Sequence, residues 1–545
     1  MDILLQPKSA YLWYTENGIS VRGYFQSKNA PEVILRDSSA VSYFSDVNSL
    51  EELTAHLEAV DGVFSVIIDH GTSIYAAVDR ARSMPLYYAV NAAALSDDSK
   101  ALREYLHIAK DHTDPLRMAK LLAAGAVSDR YTVYQEIRQL PMATAAEWQE
   151  GTLRTAVYYS HMAATVNYSR AEAKTVLRRT AEQMMDRILK VAADRPIVLS
   201  LSGGYDSRFV ACMLKERGAK NVYCYTYGDK SSFEVGQSKK VAEALGYQWK
   251  CVTYTDEDVA AQIDEAGQIY INTCYQHDFT TYLQNYIAVK RLHEENWFPT
   301  NAVFLTGLCH DMPTGEYQME EKDVHDPISA DGAAHFVMDR RFVRYRLKKQ
   351  ARDAYLADLQ RQIKEIGKEI CTFQDFVQVT DVLDTGFDHS RRFLPMNHSH
   401  EFFGYEWLLP CWNQELLDFW YSLPYTLRVH QNLYEEWLME DLCEKYGVGT
   451  KKAINQHTPY PLLNSMIRHA GGIVAWYCFH THTMLRLHTD INGGALLRQK
   501  IYDRIQQKQA IKYSCASMLL LLTLYLMEQR YGTQFWKELR NILEK

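Results

Sequence analysis

Residues 197–218, IVLSLSGGYDSRFVACMLKERG, confine the centre of this chain to one local design. The unbroken apolar run Ile197 to Leu201 follows Pro196 and reads as a strand buried on both faces of a parallel sheet, with proline at its start, where no ladder donor is lost. Beyond the turn, Phe209, Val210, Met213 and Leu214 recur at helical spacing and Gly218 supplies a stop. Ser202 to Ser207 therefore join a strand to a helix N-terminus. There the first amide groups lack intrahelical partners, the dipole favours an anion, and Gly203 and Gly204 let the backbone approach closely. Asp206 repels a bare phosphate but suits a divalent cation bridging carboxylate and phosphate oxygens. The same residues also make a glycine turn between core elements with two capping serines. They are not a Walker loop, which needs a lysine after its last glycine; Arg208 comes too late.

At 545 residues the chain exceeds what one core supports, so several domain-sized units are expected. Hydrophobic content of 47% with 23% charged residues is ordinary for a globular protein, and a net charge of -8 argues against nucleic acid as a main partner. The longest apolar stretch, Cys515 to Met527, falls short of the about 20 residues a membrane-crossing helix needs and reads as a buried helix. The opening MDILLQPKSA lacks the basic and apolar order of a secretory signal. Ten cysteines run from Cys212 to Cys515 with no C-x-x-C pair, which suits the reduced thiols of a cytoplasmic protein. None lies in the first 211 residues.

The first part of the chain reads as β-rich. Asn17-Gly18, His70-Gly71 and Glu150-Gly151 each separate two strand-like runs, and helical character appears at Leu50 to Val60 and Pro115 to Ala124. From about residue 168 helices and strands alternate. Helices are expected over Arg170 to Ala193 and Phe233 to Leu245, and strands at 197, over Val222 to Tyr227 and near Trp249 to Tyr254. Such alternation implies a doubly wound parallel sheet. After residue 330 the chain turns mainly helical, and RRFVRYRLKKQARDAYLADLQRQIKEIGKEI is its clearest helical run. No repeat or low-complexity linker separates the two parts, so they are expected to pack closely.

In doubly wound sheets ligands bind beyond the carboxyl ends of the strands, which is where residues 202–207 fall. The run AVFLTGLCHD ends in Thr306-Gly307 followed by Asp311. Taken alone, Asp311 reads as a solvated loop acid; paired with Asp206 it completes a candidate cation site. His398 and His400, like His480 and His482 beside Cys478, have a spacing that helix-borne metal sites do not use and read as surface or core histidines.

LSLSGGYDS matches the S-G-G-x-D-S pyrophosphate loop of the ATP pyrophosphatases, and its flanks resemble the asparagine synthetase family over nearly the whole chain. VDGVFSVIIDHGTSIYAAVDRARSMPLYYAV is similar to the family's G-x-F-A…D-R-x-G-x-x-P-L-Y-Y stretch, and TVYQEIRQLP to its T-x-F-x-x-I-x-x-L-P. LTGLCHD stands where the family has S-G-E-G-x-D, and FGYEWLLPCWNQELLDFWYSLP where it has G-x-E-x-R-x-P-F-L-D. The resemblance implies an α/β protein: a glutamine amidotransferase-like sandwich over 1–165, then an ATP-pyrophosphatase domain with a helical C-terminal extension over 166–545. It implies ATP and Mg²⁺ as cofactors. A small-molecule or peptide carboxylate attacks the α-phosphorus, pyrophosphate leaves, and an amine displaces AMP. By family position Ser202, Gly203, Gly204 and Ser207 hold pyrophosphate, Asp206 and Asp311 hold Mg²⁺, and Leu199, Ser200, Tyr225, Thr226, Thr306 and Gly307 meet the nucleotide.

The departures carry as much. Glutamine-dependent members begin, after Met1, with a cysteine; here residue 2 is Asp2, which cannot form a thioester, so glutaminase activity is expected to be absent although Asp79, matching the acid that holds glutamine's amine, remains. β-Lactam synthetase, carbapenam synthetase and lasso peptide cyclases share this loss and use a substrate-borne amine. Their tyrosine or glutamate base is replaced by Leu308, which leaves Glu406 as the expected base, with His310 as an alternative and Lys451 or Lys452 expected against the transition-state phosphate. The product is then an intermolecular amide or an intramolecular lactam or macrolactam. A non-catalytic nucleotide-binding scaffold and a subunit fed with ammonia by a partner are the competing readings, and a homo-oligomer is open.

Overall fold

The computed structural model describes residues 1–127, 129–228, 230, 232–341, 347–449, 494–506 and 518–542. Its first part holds two sheets. Strands β1 (Asp2–Leu4), β7 (Tyr87–Ala89), β8 (Ala94–Ser96) and β9 (Ile137–Gln139) form one, in the order β1-β8-β7-β9. The other is antiparallel, in the order β11-β10-β6-β5-β3-β2, from β2 (Trp13–Glu16), β3 (Ile19–Ser27), β5 (Val60–Asp69), β6 (Ser73–Val78), β10 (Thr144–Gln149) and β11 (Thr152–Val157), with β4 (Ile34–Leu35) paired to β3. Ile67, Ile74 and Trp148 from one face of the larger sheet meet Tyr88 and Leu95 of the smaller sheet, with Leu86 beside them. The opposite face of the larger sheet packs on helices α1 (Asp37–Tyr43) and α2 (Leu50–Glu58), and the smaller sheet packs on α3 (Ser99–Tyr105) and α4 (Pro115–Ala124). The layers therefore run helix, sheet, sheet, helix.

All three expected hairpin turns form. Asn17 and Gly18 both take positive φ, 51° and 78°, as do Glu150 and Gly151, 51° and 76°, the conformation that matches a two-residue turn to strand twist. Gly71, at φ 79°, closes the turn between β5 and β6.

Helix α5 (Arg170–Ala192) opens the second part. Its Ser169 cap accepts from the Glu172 amide while Glu172 reaches back to the Ser169 amide. A five-stranded sheet follows, wholly parallel, in the order β14-β13-β12-β15-β16: β12 (Ile197–Ser200), β13 (Val222–Tyr227), β14 (Gln248–Val252), β15 (Val303–Leu305) and β16 (Glu406–Leu408). Helices α6 (Tyr205–Glu216) and α7 (Phe233–Leu245) make the crossovers from β12 to β13 and from β13 to β14. The long helical run near residue 350 is divided into Ala330–Arg341 and Lys349–Ile366, the second stopped by Gly367 at φ 72°. The apolar stretch near the C-terminus forms the helix Met518–Tyr531, with Leu521, Leu524 and Met527 buried. Among the described residues no helix is long and apolar enough to cross a membrane, and the described cysteines carry free thiols.

The two parts share contacts throughout. Tyr11, Tyr24 and Met84 enter the core of the five-stranded sheet. Arg82 and Asp278, both buried, lie 3.3 Å apart, and the Tyr87 hydroxyl donates to the same carboxylate.

Candidate active site

Beyond the carboxyl ends of β12, β13 and β15 lies a cavity of about 320 Å³. Ser200, Ser202, Gly204, Asp206, Ser207, Thr306, Gly307 and Asp311 line it, so residues a hundred positions apart in sequence meet in one place. Two glycines make that possible. A Cβ on Gly307 would lie 2.8 Å from the carbonyl carbon of Asp206, and one on Gly203 would lie 2.9 Å from Cα of Glu234 in the first turn of α7. Only a bare backbone lets the loop press against both neighbours.

Helix α6 begins at Gly204 with no side chain capping it, which leaves its N-terminal dipole facing the cavity. The serines tie the loop to itself: the Ser202 amide donates to Ser207 Oγ at 3.0 Å, the two hydroxyls lie 3.0 Å apart, and the Gly204 amide donates to Ser202 Oγ at 3.1 Å. The two serines thus brace the loop itself and do not cap α6. Gly203, Leu199 and Thr226 stand behind the lining, Leu199 fully buried; Tyr225 is buried too, its hydroxyl donating to Asn285 Oδ1 at 3.0 Å. Thr306 Oγ1 is buried at the cavity with no hydrogen-bond partner among the described residues.

Asp206 and Asp311 stand at adjacent strand ends. The hydroxyl of Tyr434 donates to Asp206 Oδ1 at 3.1 Å, and that of Tyr317 to Asp311 Oδ2 at 2.7 Å. Burial, with the carboxylates of both aspartates added to it, holds the thiols of Cys309 and Cys411 well above their usual range. The negative potential of the pair therefore converges on this wall. Glu316 is a third carboxylate on the cavity, and among the described lining residues none is lysine or arginine. No third histidine, cysteine or acid among the described residues completes a cage around the two aspartates. That donor set fits Mg²⁺, which takes one or two carboxylates and fills its remaining positions with water and phosphate oxygens.

Cys309, at φ 69°, turns the chain between β15 and the short helix Asp311–Thr314, at the position where the family pattern has glycine. Leu308 lines the cavity beside it.

The expected base is corrected. Glu406 begins β16, opposite Val303 at the start of β15, so it lies at the amino edge of the sheet, away from the cavity. Its Oε2 is 2.7 Å from Arg195 Nη1, and its Oε1 is 3.1 Å from Arg36 Nη2. Two guanidinium groups occupy the carboxylate, one from each part of the chain. His310 also fails as a base: it is fully buried, does not line the cavity, and accepts a hydrogen bond from Trp420 at Nε2. Lys451, Lys452, Cys478, His480 and His482 lie outside the described residues. His398 is half-buried and His400 is buried, with one edge of His400 on the cavity.

Sequence reasoning missed the far wall, where Tyr282, Phe393, Met396, His400 and Gln431 stand. His400 stacks on Phe304 at 4.1 Å and bonds Asn285 through Nε2, and burial pushes its imidazole down to about 3.

In the first part, Asp2 is exposed and its carboxylate accepts from the Tyr105 hydroxyl at 2.6 Å. Asp79 is buried, and its oxygens are taken by the amides of Phe64, Ala81 and Ser83 and by the Ser83 hydroxyl. Burial pushes its carboxyl up to about 6.

Comparison with known proteins gives two family matches: an asparagine synthase model over residues 176–454, just over half of the chain, and a glutamine amidotransferase domain model over residues 47–159. No curated protein matched the chain. Two solved structures are similar to it. One, described as the allosteric regulatory enzyme of purine biosynthesis, is 10% identical with a TM-score of 0.19, covering 45% of this chain and 62% of that one. The other is glutamine phosphoribosylpyrophosphate amidotransferase from B. subtilis complexed with ADP and GMP, 9% identical with a TM-score of 0.19, covering 55% of this chain and 64% of that one. The chain thus spans less than two thirds of either, and neither likeness carries an argument. The asparagine synthase match does: the chain belongs to the asparagine synthase family, whose members are carbon–nitrogen ligases forming AMP and pyrophosphate.

Proposed function

We propose that this protein activates a substrate carboxylate with ATP and joins it to a free or substrate-borne amine, without hydrolysing glutamine. The observation that carries this reading is the cavity at the carboxyl edge, where an uncapped helix N-terminus, a glycine-rich loop and two aspartates converge. The substrate carboxylate oxygen attacks the α-phosphorus and the bond to pyrophosphate breaks; the amine nitrogen then attacks the acyl carbon and AMP leaves. The amides at the start of α6, with Ser202 and Ser207, hold the departing pyrophosphate. Asp206 and Asp311 would hold Mg²⁺, which supplies neutralisation of the charge that develops on that leaving group. Glu316 is the remaining carboxylate on the lining and receives the amine's proton, a role that neither Leu308 nor Glu406 can fill.

Independence from glutamine rests on the first part of the chain. It has no cysteine, Asp2 faces solvent, and the oxygens of Asp79 are filled by its own backbone, so neither a nucleophile nor a free acid is left there for glutamine. The acceptor is a small-molecule or peptide carboxylate, and the mixed aromatic and polar wall formed by Tyr282, Phe393, Met396 and Gln431 suits an acceptor with an apolar body.

The test is turnover of the pure protein with Mg²⁺, ATP and a deproteinised metabolite extract, with glutamine present. AMP and pyrophosphate without released glutamate are expected. ADP as the nucleotide product, or glutamate formed in step with AMP, contradicts the reading.

A further inference from the structure

His310 is fully buried directly behind the cavity wall, and the reaction as described gives it nothing to do. Its hydrogen bonds fix its state. The indole Nε1–H of Trp420 points at His310 Nε2 from 3.1 Å. An indole nitrogen only donates, so Nε2 is the bare nitrogen of the imidazole and the ring proton sits on Nδ1. Nδ1 lies 3.5 Å from Oδ1 of Asp206 and makes no hydrogen bond with any described residue.

The ring cannot turn away. Phe209 stacks against it at 5.2 Å with planes 20° apart, and Tyr434 meets it edge-on at 4.7 Å. Tyr434 also donates its hydroxyl to Oδ1 of Asp206 at 3.1 Å. One oxygen of this carboxylate thus accepts from Tyr434 and faces His310 Nδ1 at 3.5 Å, while no hydrogen bond reaches Oδ2 from the described residues. The asymmetry is what a cation ligand needs, with one oxygen steadied from behind and the other left to bind.

We infer that His310 is a positioning residue for Asp206: Trp420 fixes its tautomer, and its Nδ1–H, together with the Tyr434 hydroxyl, orients the carboxylate so that Oδ2 faces the cation. This rests on the reading of Asp206 as a Mg²⁺ ligand. The relay passes from an indole on the helix Gln414–Ser422, through an imidazole on the segment after β15, to a carboxylate on α6, so three elements distant in sequence set one oxygen.

Two measurements test it. In protein with ¹⁵N-labelled histidine and no metal, His310, assigned by its loss in His310→Asn, is expected to show a protonated Nδ1 and a bare Nε2, and Trp420→Phe is expected to release that preference. Mn²⁺ binding in the presence of ATP, read by electron paramagnetic resonance, supplies the second. His310→Leu is expected to weaken it about 10-fold, the usual scale for an outer partner of a ligand, Trp420→Phe by less, while His310→Asn, which keeps an N–H near the Nδ1 position, stays close to the parent. A protonated Nε2 in the parent, or His310→Leu and Trp420→Phe binding Mn²⁺ as tightly as the parent, overturns the inference. If His310→Leu does not fold, Trp420→Phe decides. Failure of the parent itself to take up Mn²⁺ with ATP overturns the reading of the whole site, an outcome distinct from unchanged binding in the variants.

Discussion

Arg195 Nη1 lies 2.7 Å from Oε2 of Glu406, and Arg36, from the other part of the chain, closes on the second oxygen of the same carboxylate at 3.1 Å. The arrangement is a clamp between parts rather than a proton acceptor. Glu406→Gln leaves two guanidinium groups facing one another across a neutral amide. Because the cluster is partly exposed, it is expected to cost about 1–2 kcal/mol of stability, read by urea unfolding. Pyrophosphate exchange should be unchanged. Loss of exchange in a variant that melts like the parent would restore a catalytic role to this residue.

Gly307 tests the meeting of the two strand ends. In Gly307→Ala the new methyl comes within 3 Å of the Asp206 backbone, which must shift. Overpacking of this kind costs about 1–3 kcal/mol, and the displaced loop should lose ATP at least 10-fold. Calorimetric titration with ATP and Mg²⁺ measures it; unchanged affinity contradicts the packing described.

Asp79 is expected to be structural. Asn at this position keeps one acceptor oxygen and turns an amide N–H toward buried backbone donors that the carboxylate now satisfies. Asp79→Asn should lose about 1–3 kcal/mol in chemical denaturation. Neither parent nor variant should release glutamate from glutamine. Equal stability would show that the carboxylate is not the anchor of this turn.

Buried histidines set the acid limb of stability. Burial holds His400 down to about 3 and His277 well below its ordinary value, whereas in the unfolded chain both titrate near about 6.5. Between those values the unfolded chain binds protons that the folded chain refuses, so this stability is present above pH about 6.5 and lost as the pH falls. From pH 7 to 5 His400 alone removes about 2 kcal/mol. Asp79, pushed up to about 6, acts with opposite sign and returns about 1 kcal/mol over the same interval. With His277 added, unfolding free energy is expected to fall on acidification to pH 5. A flat or rising profile contradicts the burial of these rings.

What could be read from sequence was local. Strand β13 and helices α4 and α7 fall where spacing places them, and Asn17-Gly18 and Glu150-Gly151 take the positive φ that their residue types favour. The loop at 202–207 was legible as a strand-to-helix turn because its glycines and serines stand between a buried apolar run and a helical repeat. The site's depth was not. Glu406 was chosen by its place in a pattern, and nothing in the sequence shows that β16 runs parallel to β15 with that residue at the amino edge, or that Arg36 reaches it across 370 positions. Phe393, His400 and Gln431 come to the cavity from the helical part, where no local signal separates a lining residue from a core one. Leu308 was a readable sign that this wall is built differently; Cys309 beside it, where the family pattern has glycine, was a second sign that the sequence reading passed over.

The most direct test of the account is exchange of labelled pyrophosphate into ATP, carried out by the pure protein with Mg²⁺ and fractions of a deproteinised extract, with and without glutamine. The account predicts a fraction that supports exchange whether or not glutamine is present. Exchange should be lost in Asp206→Asn and in Asp311→Asn, since a neutral amide is a far weaker Mg²⁺ ligand than a carboxylate, and retained in Glu406→Gln. Exchange that requires glutamine, or that survives in both aspartate variants, would contradict it.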